Sequence, residues 1–193
     1  MGGEDDVSKE SRISPFRIAS FVTYNPDTGV IRWSEPEASM FSSDHAHKVF
    51  SAQRSGKLAF NTSRGRGYLC GQFDGIILQA HRVAWCVYHG EWPEYHLDHI
   101  NRDRSDNRIA NLRVCDYHEN NQNRGMLSNN RSGYKGVSWN RRTGSWRVSI
   151  RFNGERITME GFSCPLKAAE AYDALALDLH GEFATTNNKL GLM

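Results

Sequence analysis

Cysteine is scarce and unpaired in this sequence. The four thiols, Cys70, Cys86, Cys115 and Cys164, are widely spaced, and no Cys-x-x-Cys pair occurs. That argues against a zinc ribbon and points to reduced, mostly buried thiols in a cytosolic chain. Long apolar runs are missing too, so no stretch reaches membrane-spanning length. The opening residues, Met1 to Val7, are acidic and polar, which is not the make-up of a secretory signal. Nor is there an excess of one charge. The net charge over 193 residues is only +2, so no overall basic character announces nucleic acid. Hydrophobic residues make up 38%, enough for a modest core in one compact domain or two small ones.

What charge there is lies unevenly. Between Arg124 and Lys167 the basic residues, Lys135, Arg141, Arg142, Arg147, Arg151 and Arg156 among them, are opposed only by Glu155 and Glu160. That is a local basic field in an otherwise balanced chain.

Along the chain, residues 1–13 read as a disordered acidic lead-in and Phe16 to Phe21 as a short amphipathic segment. Tyr24 to Trp33 reads as strand, turn, strand, with Pro26, Asp27 and Gly29 supplying the turn. Residues 35–56 lack periodicity and read as a loop or variable insertion. Asp74-Gly75 between two apolar runs predicts a hairpin. A helix is predicted over His81 to His89, stopped by Gly90.

The most informative stretch is Tyr95 to Ile100, a predicted strand carrying Asp98 and His99. A polar loop from Asn101 to Arg108 follows, then a second strand within Ile109 to Val114. Asp116 and Glu119 have capping-box spacing, which puts Asn120 in the first turn of a helix running to about Arg124. Asparagines thus stand twelve and twenty-one residues after His99, at Asn111 and Asn120. An isolated Asp-His pair is commonly a capped turn, and Asn111 alone could simply fold the loop. Together they suit metal-assisted phosphodiester cleavage. An imidazole takes the proton of a water, and a carboxylate-bound cation stabilises the leaving oxygen.

Leu97-Asp98-His99-Ile100, Asn107-Arg108-Ile109-Ala110-Asn111-Leu112-Arg113 and Glu119-Asn120-Asn121-Gln122-Asn123-Arg124 resemble the HNH endonucleases, in their phage and intron-encoded homing branch with the ββα-metal fold. The segments Tyr24 to Trp33, Gly67 to Leu78 and His81 to Pro93 resemble that family as well, so the likeness covers most of 16–125. The resemblance implies that His99 is the general base, that Asn111 orients it, and that Asp98 and Asn120 hold a divalent ion. Many relatives carry His where Asn120 stands. An amide oxygen there suits Mg²⁺, with Mn²⁺ as the alternative and no zinc, and DNA phosphate would complete so weak a site. Asn107 reads first as a loop-shaping residue. His81 and His96 read as packing or DNA-backbone residues, and His45, His47 and His118 as surface histidines.

After a linker-like stretch a new pattern begins. Trp146 to Phe152 alternates apolar and polar, Asn153-Gly154 marks a hairpin, and Arg156 to Gly161 is the third strand. A helix is predicted from Pro165 to His180, with Ala168, Ala169, Tyr172, Leu175, Ala176 and Leu179 as the stripe that covers the sheet. Residues 132–187 resemble an AP2 (ethylene-response-factor type) DNA-binding domain, although Ser138 stands where plant relatives often have Arg. Such domains lay the sheet in the DNA major groove. By matching position the resemblance points to Lys135, Trp139, Arg141, Arg147, Ser149 and Arg151 as DNA contacts.

The expected architecture is therefore α+β. It comprises a lead-in (1–13), an HNH ββα-metal nuclease module with N-terminal β-hairpins (14–125), a linker (126–131), an AP2-like three-stranded antiparallel sheet with one helix (132–187) and a tail (188–193). The expected function is site-specific, metal-dependent cleavage of double-stranded DNA, by a phage-encoded homing-type enzyme in the cytoplasm of a bacterial host. Neither a membrane nor a small-molecule substrate is expected. Monomer and dimer remain open, and one catalytic motif per chain favours nicking unless the protein dimerises. The alternatives are a sequence-specific DNA-binding regulator whose HNH module is inactive, and a structural metal module, which the missing cysteine pairs disfavour.

Overall fold

The structure, a computed structural model, describes residues 9–123 and 125–193, without the side chains of Tyr117, His118 and Asn121. It is a mixed α/β chain of several small antiparallel sheets, divided into two compact units, Met1–Val114 and Cys115–Met193. No helix among the described residues is long and apolar enough to cross a membrane.

In the first unit the Ser14 side chain caps helix α1 (Pro15–Phe21) by accepting from Arg17 N, and Pro15 occupies the first turn. Strands β1 (Val22–Tyr24) and β2 (Ile31–Trp33) form the first hairpin, with Tyr24 opposite Ile31. Helix α2 (Asp44–Arg54) follows, capped by Ser43. This corrects the loop expected over 35–56. Phe41 and Phe50 reach the core, and their rings meet Phe21 at 5.4 Å each. Beyond them the helix is too polar to show a stripe. His47 is likewise no surface residue: its ring lies 5.0 Å from Phe41, and Nε2 is buried.

Strands β3 (Thr62–Ser63), β4 (Leu69–Phe73) and β5 (Ile76–Gln79) make a sheet in that order. Asp74 (φ 46°) and Gly75 (φ 80°) both adopt the left-handed conformation that a tight two-residue hairpin turn requires. Helix α3 (Ala80–His89) follows directly and ends at Gly90 in the left-handed conformation. Its Val83, Ala84 and Cys86 are fully buried against Ile18, Phe21 and Leu78. The expected lead-in needs correction over 9–13. Ile13 joins this core, and the buried Glu10 carboxylate pairs with Arg82, which also donates to the Pro93 and Tyr95 carbonyls. Residues 1–8 lie outside the described residues.

Strands β6 (His96–His99) and β7 (Leu112–Cys115) form a two-stranded sheet, with a 3-10 turn (Ile109–Asn111) leading into β7. Helix α4 (Tyr117–Gln122) starts with the expected capping box. Glu119 N donates to Asp116 Oδ1 (2.8 Å), and Asp116 N donates to Glu119 Oε2 (2.7 Å). Arg124, where the helix was expected to end, lies outside the described residues.

The second unit is otherwise a three-stranded antiparallel sheet, β8 (Val137–Asn140), β9 (Ser145–Phe152) and β10 (Glu155–Phe162), covered by helix α5 (Pro165–His180). Val148 and Ile150 are buried against Ala168, Ala169, Tyr172 and Ala176, the stripe read from the sequence. Full burial of one such side chain contributes roughly 1.5–3 kcal/mol. Gly136 (φ 74°) allows the chain to cross the Tyr172 ring, because a Cβ there would lie 2.1 Å from it. Residues 184–188 are tied in rather than trailing. Buried Asp173 accepts from Asn187 N, Asn187 Nδ2 and Asn188 N, and Asn187 Oδ1 accepts from Lys135 N.

Candidate active site

Asp98 and His99 leave β6 as consecutive strand residues, which face opposite sides. Both are buried, at 7% and 3% exposure, but they meet different partners. Asp98 Oδ2 accepts from Arg113 Nε (3.0 Å) and Nη2 (2.8 Å), a paired contact from the neighbouring strand. Arg113 drew no role from the sequence. The signal available was the alternation Leu112-Arg113-Val114, which sends Arg113 away from the core face of Leu112.

His99 Nε2 lies 3.3 Å from Asn107 Oδ1. Asn107 Nδ2 donates to the Ser105 carbonyl (3.2 Å), which identifies the amide oxygen as the atom facing the ring. An amide oxygen only accepts, so Nε2 carries the hydrogen and Nδ1 keeps the lone pair. Burial lowers the His99 pKa below its ordinary 6.5, outweighing the Asn107 contact and the Asp98 charge that raise it. Burial therefore favours the neutral form of the ring.

The two loop asparagines exchange their expected parts. Asn111 accepts from Asn101 N (3.0 Å) and donates to the Asp106 carbonyl (2.8 Å), so it folds the loop rather than touching the imidazole. Asn107, expected to shape the loop, supplies the contact to His99.

The first hairpin buttresses this loop. Tyr24 Oη donates to the Asn107 carbonyl (2.8 Å), and Ile109 N donates to the Pro26 carbonyl (3.1 Å). Gly29 (φ 72°) lies so close that a Cβ would sit 2.6 Å from Arg108 N and 2.7 Å from Asn107 C. On the other side, buried His81 meets the His99 ring edge-on at 5.0 Å, and Tyr68 lies 5.3 Å from His81 and 5.9 Å from His99. Burial, with the charge of His99 and Arg82 adding to it, holds His81 neutral well below 6.5.

No group of three or more His, Cys, Asp or Glu gathers among the described residues. The donor at hand is a hard one. Asp98 is a carboxylate, and carboxylate oxygens suit hard divalent cations. Asn120, the other expected ligand, is in the capped helix α4 of the second unit, and its N donates to the Asp116 carbonyl.

In the second unit the strand register sorts the expected DNA contacts by face. Ser138 opposes Arg147, Thr158 opposes Ser149, and Arg156 opposes Arg151, all on the face away from α5. Arg147 Nε donates to Ser138 Oγ (3.0 Å). Trp139 opposes Trp146, with ring centres 5.3 Å apart, and so shares the parity of Val137 and Val148 on the helix side. Lys135 Nζ donates to the Gln122 and Thr185 carbonyls and lies 5.9 Å over the Tyr172 ring, engaged within the unit. Arg141 is exposed in the turn after β8. Arg156 was not singled out from the sequence. It stands directly opposite Arg151, and such like-charge pairs are destabilising unless an anion joins them.

Comparison with known proteins bears on the same region. The HNH endonuclease family matches residues 78–122, from β5 through α4. An uncharacterized HNH endonuclease of Acanthamoeba polyphaga mimivirus is 29% identical over 112 residues, 57% of this chain and 57% of its own. Protein 3.8 of Escherichia phage T7 is 30% identical over 105 residues, 54% of this chain and 86% of its own. The chain thus spans little more than half the length of the mimivirus relative. No solved structure matches. With the Asp98-His99 strand, the Asn107 and Asn111 loop and the capped helix all inside the matched segment, the chain belongs to the HNH endonuclease family, a class of nucleases.

Proposed function

We propose that this protein is a metal-dependent, site-specific DNA endonuclease of the homing type, in which the first unit carries the base and the sheet of the second grips the duplex. The observation that carries the reading is the buried His99, its pKa lowered by burial and its Nε2 set against Asn107, inside the segment that matches the family.

His99 takes the proton of the water that attacks the phosphorus. Asn107 keeps the ring in the required tautomer, and the Tyr24, Pro26 and Gly29 contacts hold Asn107 still. Arg113 fixes the Asp98 carboxylate. A divalent ion, most simply Mg²⁺, would be held by Asp98 and, as the family resemblance implies, by Asn120, and when bound it stabilises the leaving oxygen and the phosphate charge.

An AP2-like role for the second unit is supported by its three-stranded sheet with one covering helix and by a face carrying Arg147, Arg151 and Arg156 beside Ser138 and Ser149. Those cations suit phosphates and guanine edges. A bacterial-host setting is supported by the phage relative.

The test is nicking of supercoiled plasmid by the full chain. Cutting with Mg²⁺ that EDTA abolishes is the expected result. Tight DNA binding with no cutting at any divalent ion would favour a binding protein with an inactive nuclease module.

A further inference from the structure

One surface feature of the first unit is left unused by that mechanism. A cleft of about 690 Å³ opens between residues 9–12 and the turn at 64–67. Lys9, Arg12, Arg64 and Arg66 line it, and no acidic side chain does so among the described residues. The acids nearby are committed elsewhere, Glu10 to buried Arg82 and Asp74 to Arg17. None of the four lining cations makes an ion pair among the described residues, in contrast to Arg17, Arg82, Arg108 and Arg113 of the same unit.

The turn that carries two of them is built. Gly65, Arg66 and Gly67 are all left-handed (φ 68°, 51° and 83°), and Arg104 Nη1 donates to the Arg66 carbonyl at 2.8 Å. The Arg104 guanidinium also covers the Tyr68 ring at 4.8 Å. Tyr68 forms part of the cleft wall, and its ring lies 5.9 Å from that of His99. The cleft therefore ends one aromatic ring from the base.

We infer that this cleft is a second DNA contact, a seat for the phosphodiester backbone of the strand that His99 cuts. The inference rests on the nuclease reading for its orientation, and on charge for its ligand. Four unneutralised cations in a concave surface match a run of phosphates, which bind by charge and counterion release without reading sequence. The cleft thus aligns the strand with His99, while the second unit's sheet supplies grip.

The experiment measures binding of the full chain to a short mixed-sequence DNA duplex across a salt series. Arg64→Gln with Arg66→Gln should make the slope of log affinity against log salt shallower by about 1.8, from about 0.9 per phosphate contact. Lys9→Gln with Arg12→Gln, on the opposite wall, should do the same and decides the matter if the first pair unfolds. The control, Lys48→Gln with Lys57→Gln, removes two exposed charges elsewhere on the unit and should leave the slope unchanged. An unaltered slope in the cleft variants, or an equal fall in the control, overturns the inference. Plasmid nicking separates it from the parent reading. A wild-type chain that never nicks but keeps the slope difference retains the contact and loses the nuclease. A chain that nicks while the slopes stay equal loses the cleft alone.

Discussion

Around His99 in the first unit, charge is paired and largely out of water: Arg113 on Asp98, Arg82 on Glu10, and the His99 ring between His81, Tyr68 and Asn107. On the sheet face of the second unit, like charges stand across from each other, with exposed Arg151 opposite exposed Arg156, and half-buried Arg147 donates to Ser138. The contrast follows from the work each surface would do. A base needs a desolvated, fixed neighbourhood that tunes one nitrogen. A duplex grip needs hydrated cations that exchange counterions for phosphates. The same residue type is thus a fixed strut in one unit and, in the proposed reading, a phosphate contact in the other.

The comparison breaks most sharply at two glycines. Gly136→Ala drives a methyl into the Tyr172 ring at a left-handed position. It should destabilise the second unit by about 3 kcal/mol or more and abolish tight DNA binding, read by urea melts and anisotropy. Gly29→Ala pushes on the Asn107 and Arg108 backbone instead. Cutting should suffer while binding survives.

Next in size is the base itself. Asn107→Ala should lower kcat by about 100-fold with KM little changed, because the ring loses its fixed tautomer. Asn111→Ala should show its main effect as a lost melting temperature, since its two bonds hold loop backbone. Equal kinetic profiles for the two would contradict the exchange of roles.

A smaller effect is expected on the sheet. Arg147→Ala with Arg151→Ala should reduce the salt slope of binding by about 1.8 and leave the pH profile of cutting alone. The smallest concerns acid. His81 is held neutral well below 6.5 by burial, so the unfolded chain takes up a proton that the folded one refuses. Its contribution is fully present above about pH 6.5 and is lost as pH falls below it, by about 1 kcal/mol over the first unit of pH. Thermal melts at pH 7.5 and 5.5 should show this loss in the wild type and a reduced loss in His81→Phe.

Much of the scaffold was legible because its signals are local. Asp74-Gly75 and Asn153-Gly154 demand left-handed turns, Asp116 and Glu119 cap each other, and Gly90 stops its helix. The Asp98-His99 pair followed from its spacing to Asn111 and Asn120 and from the family resemblance, and the covered face of the second sheet from strand alternation. What stayed hidden depends on contacts far along the chain. The parts of Asn107 and Asn111 are decided by a loop without periodicity and by a hairpin some eighty residues earlier. Trp139 changes face because its parity is set by register with Trp146 across a turn, where one residue of slip inverts every side chain. Glu10 and Ile13 sit in a polar stretch whose burial only Arg82 and the core reveal. Helix α2 escaped because it buries no residue fully and meets the core through Phe50.

The central claim is that His99 is the base. Single-turnover nicking of supercoiled plasmid by the His99→Ala chain, with Mg²⁺ and at protein saturating for binding, tests it directly. The account predicts cutting reduced by about 100-fold or more with duplex affinity within about twofold of wild type. Undiminished cutting by His99→Ala would contradict it.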